Sequence, residues 1–344
     1  MKDHEIYIKR CLELASRGAG FVAPNPMVGA VLVVEGKIIG EGYHKKIGDA
    51  HAEVNAINSV KDEDKLLIKD ATLYVNLEPC DHFGKTPPCT QLIMDYNIKK
   101  VVIGTPDPNN LVNGKGMKKL GEAGVEVIVG VLEKECVDLN KFFFTFHQKQ
   151  RPFITIKWAQ SADSFIAGEN YTPIHLTNSY SDHFVQKMRS EHQAIFVGGR
   201  TVLSDNPKLT NRSGSGKNPL RVSLDTQNNF PQNLALFNAD AESLIFNFEK
   251  SETFGNIEFL KITRGENVFE QMITILFNKK INSILVEGGA DTINTIIKLK
   301  LWDEMKIFIT ENKLSNGISA PLMSGKEIRT ENIYDNTLIT RINV

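Results

Sequence analysis

Two cysteines, each preceded by a proline, bound the segment Pro79-Cys80-Asp81-His82-Phe83-Gly84-Lys85-Thr86-Pro87-Pro88-Cys89. Upstream, the segment His51-Ala52-Glu53 adds one imidazole and one carboxylate. A hydrolytic zinc site uses three protein ligands and keeps a fourth position open for water, with an acid or base nearby. The two segments together therefore predict a catalytic zinc site.

The spacing of the two cysteines departs from the general pattern of zinc deaminases. That pattern is H-x-E followed by P-C-x-x-C, with a glutamate that does not bind the metal. Here the second cysteine follows the first by nine residues instead of three. We predict His51, Cys80 and Cys89 as metal ligands and Glu53 as the group that moves protons. The alternative is a closed structural site with His82 as a fourth ligand, which leaves Glu53 without a role.

Strands and helices alternate around these segments. Residues 71–77 predict a buried strand, and Asp49 is the predicted N-cap of a helix from about 50 to 59. A second helix is predicted to begin near Pro88, with Cys89 in its first turn. The other predicted elements are a helix over 7–17, a hairpin of strands 30–34 and 37–42, and strands over 101–104 and 125–129. This alternation predicts an α/β fold with the candidate site residues at the ends of elements.

Length and composition predict a soluble protein of two domains. The chain has 344 residues, 41% of them hydrophobic and 24% charged, with a net charge of −1. This balance gives no overall attraction to nucleic acid or to an anionic membrane. Four cysteines are too few for a disulfide scaffold, and no signal peptide or membrane-spanning run is apparent. We therefore expect a cytoplasmic protein without nucleic-acid or membrane partners.

A second series of alternating elements begins at Pro152. Its predicted strands cover 153–159, 194–199, 220–225 and 283–287, and its predicted helices cover 181–189 and 291–300. We place the domain boundary between residues 147 and 148, which gives domains 1–147 and 148–344. The aromatic run 142–144, with Phe146, is predicted to pack at this junction. Gly-Gly pairs follow two strands, a weak sign of a phosphate site, but no G-x-G-x-x-G fingerprint follows a strand.

The motifs of both halves together resemble one known family. In the first half they are Pro24-Asn25-Pro26-Met27-Val28-Gly29, Gly42-Tyr43-His44 leading to His51, and Leu77-Glu78-Pro79-Cys80 continuing to Cys89. In the second half they are the segments 151–161, 197–212, 219–225 and 286–289. The chain resembles the bifunctional deaminase/reductase family of riboflavin biosynthesis, in which the long cysteine spacing is usual.

This resemblance implies a fold and two activities. The fold would be an N-terminal cytidine-deaminase-like αβα domain followed by a C-terminal dihydrofolate-reductase-like α/β domain. The first domain would bind Zn²⁺ and deaminate 2,5-diamino-6-(5-phosphoribosylamino)pyrimidin-4-one by hydrolysis. The second would use NADPH to reduce the ribosyl chain, giving 5-amino-6-(5-phosphoribitylamino)uracil. The implied partner is therefore a small phosphorylated pyrimidine, and we expect a homo-oligomer, either a dimer or a tetramer.

The resemblance also implies contact residues. Those for substrate are Asn25, His44, Lys85, Arg189, Leu209, Arg212 and Glu287. Those for NADPH are Ala159, His175, Thr201, Asp205, Thr226 and the segment that begins at Gly289. The two arginines suit a phosphomonoester because guanidinium groups bind phosphate in a bidentate manner.

Two departures from the family pattern concern the reductase half. Ser164 replaces a usual glycine, and His175 stands where an aromatic Trp is common. A deaminase with a degraded reductase is therefore an alternative, as are a nucleic-acid or nucleoside deaminase and a zinc-stabilised binding module. The proton donor for the reduction is not evident, and Lys157 and Asp163 are the candidates.

Overall fold

The structure is a computed structural model, and two compact units divide the chain. It describes residues 2–81, 87–109, 112–172, 174–214, 216–265 and 267–344. The units are Met1–Gln150 and Arg151–Val344. The predicted boundary between residues 147 and 148 falls inside the helix Lys141–Lys149. Among the described residues, no helix has the length and apolar character that a membrane span requires.

The first unit contains one sheet whose strands β1 and β2 form the predicted hairpin. Its strands are β1 (Gly29–Val34), β2 (Lys37–Tyr43), β3 (Thr72–Leu77), β4 (Lys100–Thr105) and β5 (Glu126–Val129). Its α-helices are α1 (Lys2–Ser16), α2 (Ala52–Asn58), α3 (Cys89–Asp95), α4 (Lys115–Glu122), α5 (Glu133–Leu139) and α6 (Lys141–Lys149). The strand order is β2-β1-β3-β4-β5. Strand β1 is antiparallel to both of its neighbours, while β3, β4 and β5 are parallel.

Alternating side chains cover both faces of this sheet. Leu32, Leu73 and Val75 belong to the core that also contains apolar residues of α2, α3 and α4. Val31 and Tyr74, which alternate with them, lie in the core formed with α1 and α5. Because successive residues of a strand point to opposite faces, the buried runs require helices on both sides. The first unit is therefore a three-layer αβα sandwich, as expected.

The start of α2 differs from the prediction. Asp49 is not the N-cap, because its amide lies in a turn and donates to the Lys46 carbonyl at 3.0 Å. The helix begins at Ala52, directly after His51, whose backbone is extended with φ −70° and ψ 165°. His51 is therefore the N-cap residue, and Glu53 lies in the first turn.

The aromatic run before the predicted boundary packs within the first unit. Phe143 and Phe144 of α6 are buried and form a cluster with Leu77, Val28 and Val137. Residues of β3, α5 and the segment before β1 thus cover these two rings. Their burial does not require a domain junction.

In the part of the second unit that the structure describes, ten of the twelve strands form one sheet. Its strands are β6 (Phe153–Gln160), β7 (Phe165–Ala167), β8 (Ala194–Gly198), β9 (Leu220–Asp225), β10 (Ser243–Asn247), β11 (Glu252–Phe254), β12 (Ile257–Lys261), β13 (Ser283–Gly288), β14 (Glu304–Thr310), β15 (Ile318–Ser319), β16 (Lys326–Ile333) and β17 (Asn336–Ile342). Its α-helices are α7 (Ser179–Glu191), α8 (Gly199–Asp205), α9 (Val268–Asn278) and α10 (Ala290–Lys298). The strand order is β11-β12-β10-β9-β8-β13-β6-β14-β17-β16, and β7 pairs with β15.

The centre of this sheet is parallel. The strands from β12 through β14 in the sheet order run in one direction. Strands β11 and β17 run in the opposite direction, and the edge strand β16 pairs antiparallel with β17. One face packs on α9 and α10, through residues such as Met272 and Ile293. Ile195, Val197 and Leu285 pack on the other face with Val202 of α8. Parallel strands end at the same edge, so the residues that follow β6, β13, β8 and β9 lie next to one another there.

Two glycines let helix α2 lie directly on strand β2. A Cβ atom at Gly42 would be 2.4 Å from the Ala56 nitrogen, and one at Gly40 would be 2.5 Å from the Ala56 carbonyl oxygen. Both distances are far below van der Waals contact with backbone atoms. Glycine is therefore required at these positions if α2 is to hold His51 and Glu53 where they are.

We expect Gly42→Ala to destabilise the first unit by roughly 1–3 kcal/mol, because the added methyl group must push α2 away from β2. Thermal unfolding followed by circular dichroism measures the change. The control is Gly121→Ala in α4, where an added Cβ meets nothing within 4 Å. Alanine at an open helical position is neutral or stabilises by up to about 1 kcal/mol. Equal melting temperatures for the two variants would contradict the proposed packing.

Candidate active sites

The three predicted metal ligands come together at the ends of three elements. His51 precedes α2, Cys80 follows β3, and Cys89 is the first residue of α3. His51 Nδ1 lies 3.5 Å from Cys80 Sγ and 3.4 Å from Cys89 Sγ, and all three ligand atoms lie within 4.8 Å of one another. Tetrahedral zinc with Zn–S near 2.3 Å and Zn–N near 2.0 Å separates its ligand atoms by about 3.5 Å. The donor set therefore fits zinc in both chemistry and spacing.

Hydrogen bonds hold the two cysteine segments together. The Cys89 amide donates to Cys80 Sγ at 3.4 Å, and the Thr90 amide donates to the Cys80 carbonyl at 3.2 Å. Asp81 accepts from the Thr90 hydroxyl at 2.7 Å and from Lys119 Nζ at 2.6 Å. These bonds join the segment after β3 to the start of α3 and to the last turn of α4.

The charges of the cluster favour a metal ion. Hydrogen bonds from Cys89 and then His51 lower the pKa of Cys80 to about 4, although burial opposes the shift. The hydrogen bond with Cys80 raises the pKa of His51 to about 9. Cys80 is therefore a thiolate at neutral pH, the form that binds zinc, and metal binding would release a proton from His51.

Glu53 lies beside the ligands but is buried. Only 3% of its surface is exposed. Burial raises the pKa of its carboxyl group, and the charge of Cys80 adds to this shift. A carboxyl group with a raised pKa exchanges protons more readily near neutral pH. The position suits a group that transfers protons beside a metal.

Two predicted substrate residues, Asn25 and His44, lie together beside the cluster. His44 Nδ1 is 3.1 Å from the Ala50 carbonyl, which only accepts, so Nδ1 carries the proton. The unprotonated Nε2 then accepts from Asn25 Nδ2 at 3.3 Å, and burial lowers the pKa of His44. The His44 ring centre is 5.7 Å from that of His51. Lys85 and the alternative ligand His82 lie outside the described residues.

Two asparagines that the sequence interpretation missed fix the segment that carries Asn25. Asn140 accepts from the Met27 amide at 2.8 Å and donates to the Met27 carbonyl at 2.9 Å. Asn76 donates to the same carbonyl at 3.0 Å and accepts from the Gly29 amide at 2.8 Å. The sequence did contain one signal, the polar Asn76 within the apolar strand β3. A buried side-chain amide needs hydrogen-bond partners, so such a residue indicates a structural contact.

Glu78 is a third missed residue of this kind. It is buried, and its carboxylate accepts from the backbone amides of Asp107, Gly114, Gly116 and Met117 at 3.0–3.2 Å. It therefore anchors the start of α4 next to the strand end that bears Cys80.

The second unit has a cavity of about 310 Å³ at the carboxyl ends of β6, β8 and β13. Most residues that the resemblance assigns to NADPH line it, together with one assigned to substrate: Ala159, His175, Thr201, Asp205, Gly289 and Glu287. Thr226 lines a neighbouring cavity of about 390 Å³. The Gly289 amide donates to the Thr201 hydroxyl at 3.0 Å. The predicted cofactor residues therefore lie along one edge of the sheet, which fits an elongated dinucleotide.

Arg189 and Glu287 form a buried ion pair beside this cavity. Arg189 Nε and Nη2 lie 2.9 and 2.5 Å from the two carboxylate oxygens, and Nη1 donates to the Thr210 carbonyl at 3.2 Å. Burial pushes the pKa of Glu287 upward, but the charge of Arg189 outweighs it and the pKa is lowered. Leu209 is buried next to Thr210, whereas Arg212 is exposed. The guanidinium group of Arg189 therefore binds Glu287. That Arg189 and Arg212 bind one phosphate together stays a prediction.

Lys157 and Asp163 differ as proton donors. Asp163 accepts from the Ser161 hydroxyl at 2.7 Å and from the amides of Leu314 and Ser315 at 3.0 and 2.8 Å. The Ser161 hydrogen bond is the main reason that its pKa falls to about 2, so Asp163 carries no proton to donate and instead holds a turn. Lys157 lines the cavity with Glu287, and burial lowers its pKa. Lys157 is therefore the better candidate.

The two departures from the family pattern lie in different places. Ser164 has φ +66°, a conformation that favours glycine and costs other residues roughly 1 kcal/mol. It belongs to the turn between β6 and β7 and does not line the cavity. His175 does line the cavity, with Nε2 3.2 Å from Asp182 Oδ2.

Both halves of the chain match known protein families. Residues 1–105 match the cytidine and deoxycytidylate deaminase zinc-binding region, and residues 152–326 match the RibD C-terminal domain. The riboflavin biosynthesis protein RibD of Aquifex aeolicus is 39% identical over 91% of this chain and 88% of its own length. That of Escherichia coli is 32% identical over 92% and 89%.

A solved structure from Thermotoga maritima is similar over the whole chain. It is described as a diaminohydroxyphosphoribosylaminopyrimidine deaminase/5-amino-6-(5-phosphoribosylamino)uracil reductase. It is 37% identical, with a TM-score of 0.90, and the match covers 100% of this chain and 99% of that one. The predicted α/β fold, with a cytidine-deaminase-like first domain and a reductase second domain, is confirmed. The chain belongs to the RibD family of riboflavin biosynthesis proteins, which join a zinc deaminase domain to a reductase domain.

Proposed function

We propose that this chain catalyses two consecutive steps of riboflavin biosynthesis. The first domain, residues 1–147, would deaminate 2,5-diamino-6-(5-phosphoribosylamino)pyrimidin-4-one by hydrolysis. The second, residues 148–344, would reduce the ribosyl chain of the product with NADPH. The observation that carries the proposal is the cluster of His51, Cys80 and Cys89 beside the buried Glu53, in a chain that is similar to RibD proteins over about nine tenths of its length.

In the deaminase, the residues of the chain divide the work. His51, Cys80 and Cys89 would hold zinc, which makes water easier to deprotonate when it is bound. Glu53 takes a proton from water and delivers it to the amine that leaves as ammonia. Asn25 and His44 bind and orient the substrate beside the ligands, and Lys85 supplies a positive charge for its phosphate.

In the reductase, the cofactor supplies the hydride and the protein orients the reactants. Ala159, His175, Thr201, Asp205, Thr226 and Gly289 would contact NADPH. Arg189, Leu209, Arg212 and Glu287 would contact the substrate. Lys157 gives a proton to the ribosyl oxygen as the hydride arrives, because it lines the same cavity as Glu287 and has a lowered pKa.

Two expectations about the whole protein stay predictions. For the location, the prediction is the cytoplasm, and four cysteines that form no disulfide bond with one another are in keeping with it. The second expectation is that the chain assembles as a dimer or a tetramer.

Glu53→Gln should reduce ammonia release by about 10²–10⁴-fold, because the amide cannot carry the proton. Zinc content should stay at the wild-type level, since all three ligands remain. NADPH oxidation with the deaminated product supplied directly should also be unaffected. The control is Glu63→Gln, which removes an exposed carboxylate next to Lys61. Undiminished ammonia release in Glu53→Gln would disprove the assigned role.

Lys157→Met should lower kcat of the reduction by about 10²–10⁴-fold with little change in the KM for NADPH. A lysine donates only while it is protonated, so the wild-type rate should fall as pH rises through its pKa. Burial places that pKa below the ordinary value of 10.5, so the fall should begin at a lower pH than for an exposed lysine. The same alkaline fall should be missing from the residual activity of the variant.

The control for this experiment is Lys298→Met, which removes an exposed lysine of α10. An unchanged pH profile in Lys157→Met would show that another group donates the proton. Failure of the wild-type protein to bind NADPH in a titration would instead favour a deaminase with a degraded reductase.

A further inference from the structure

The two cavities of the second unit share part of their walls. Gly198, Arg200 and Thr292 line both of them. Lys157 of β6 also lines the first cavity, and Thr226, just after β9, lines the second. Strands β6, β13, β8 and β9 are consecutive neighbours in the sheet, so the path between these residues crosses three strand spacings, or about 14 Å. One extended dinucleotide fits this path.

The chemistry fixes the direction in which the dinucleotide lies. Its nicotinamide must reach the substrate, and the proposed substrate contact Glu287 lines the first cavity beside Lys157. The pairs Gly198-Gly199 and Gly288-Gly289, at the ends of β8 and β13, line the walls of the two cavities. Glycine-rich turns that lead from a strand into a helix suit the pyrophosphate. The adenosine half therefore occupies the second cavity, next to Thr226.

Arg200 is the one cationic side chain among the described residues that line the second cavity. Its guanidinium group lies 4.9 Å from the centre of the Tyr171 ring, and Nη1 is 2.7 Å from the Tyr171 hydroxyl. The same Nη1 is 2.5 Å from Asp291 Oδ2. The Arg200 and Asp291 side chains are 60% and 76% exposed, and such surface pairs contribute little to stability. Arg200 is therefore free to exchange the carboxylate for a phosphate.

A phosphate on the adenosine ribose is the only difference between NADPH and NADH. It is a dianion near neutral pH, and a guanidinium group binds such a phosphate with two parallel hydrogen bonds. The geometry points to Arg200 as the residue that recognises the 2′-phosphate and so selects NADPH over NADH. This inference rests on the proposed reductase function.

Binding of two cofactor fragments tests the inference without turnover. Adenosine 2′,5′-bisphosphate carries the 2′-phosphate, and adenosine 5′-monophosphate lacks it. Calorimetry on the full-length protein should show that Arg200→Ala lowers the affinity for the bisphosphate by about 10–100-fold, the range for the loss of a charge-assisted hydrogen bond. The affinity for the monophosphate should change less than about twofold. In turnover, the preference for NADPH over NADH should fall by a similar factor.

Two further variants separate recognition from a structural role. Asp291→Asn removes the competing carboxylate and should strengthen bisphosphate binding by up to about fivefold, opposite in sign to Arg200→Ala. Arg200→Lys keeps the charge but loses the paired geometry, and its affinity should be intermediate. The matched control is Arg264→Ala, which removes an exposed arginine that stacks on Phe248 at 4.9 Å.

Two results would overturn the assignment to Arg200. If Arg200→Ala lowered the affinity for both fragments equally, the side chain would bind the pyrophosphate or support Tyr171. If the affinity for neither fragment changed, the 2′-phosphate would be bound elsewhere. Failure of the wild-type protein to oxidise both NADPH and NADH would count against the proposed reductase function itself, which is a different outcome.

Discussion

Helix α2 touches strand β2 so closely that a methyl group at Gly42 would come within 2.4 Å of the Ala56 nitrogen. This contact sets the height of the helix above the sheet. It therefore also sets the positions of His51, at the helix start, and of Glu53, in the first turn. The two cysteines reach His51 from the end of β3 and the start of α3. The geometry of the metal cluster thus depends on a backbone-to-backbone contact that only glycine permits.

Local sequence was sufficient to predict the residues of the metal cluster, because their spacing in the chain forms a recognisable pattern. His51 and Glu53 lie two positions apart, and both cysteines stand beside prolines at element ends. The supporting residues were beyond such reasoning because their partners are distant in the chain. Asn140 binds the backbone of Met27, and Glu78 binds amides of residues 107–117. The helix start was misplaced for a related reason, since an extended His51 displaces Asp49 from the cap.

In the second unit, the family resemblance indicated which residues contact the cofactor or the substrate. The fold shows which of these residues lie close together. Most of the predicted cofactor residues line one edge of a parallel sheet because four strands end there side by side. The pairing of Arg189 with Glu287 joins residues 98 positions apart, which no local pattern indicates. The hydrogen bond from the nearby Ser161 is the main reason that the pKa of Asp163 is low. The amides of Leu314 and Ser315, which come from another part of the chain, add to this effect and could not be foreseen from local sequence.

The asparagine pair around Met27 has a consequence for the order in which the protein becomes competent during its synthesis. All three metal ligands have left the ribosome once Cys89 has emerged, so the nascent chain carries the complete ligand set at that stage. The segment with Asn25 is held by Asn140 as well as by Asn76, and Asn140 is made about fifty residues later. A growing chain therefore carries its complete ligand set well before it carries the residue that fixes the segment with Asn25.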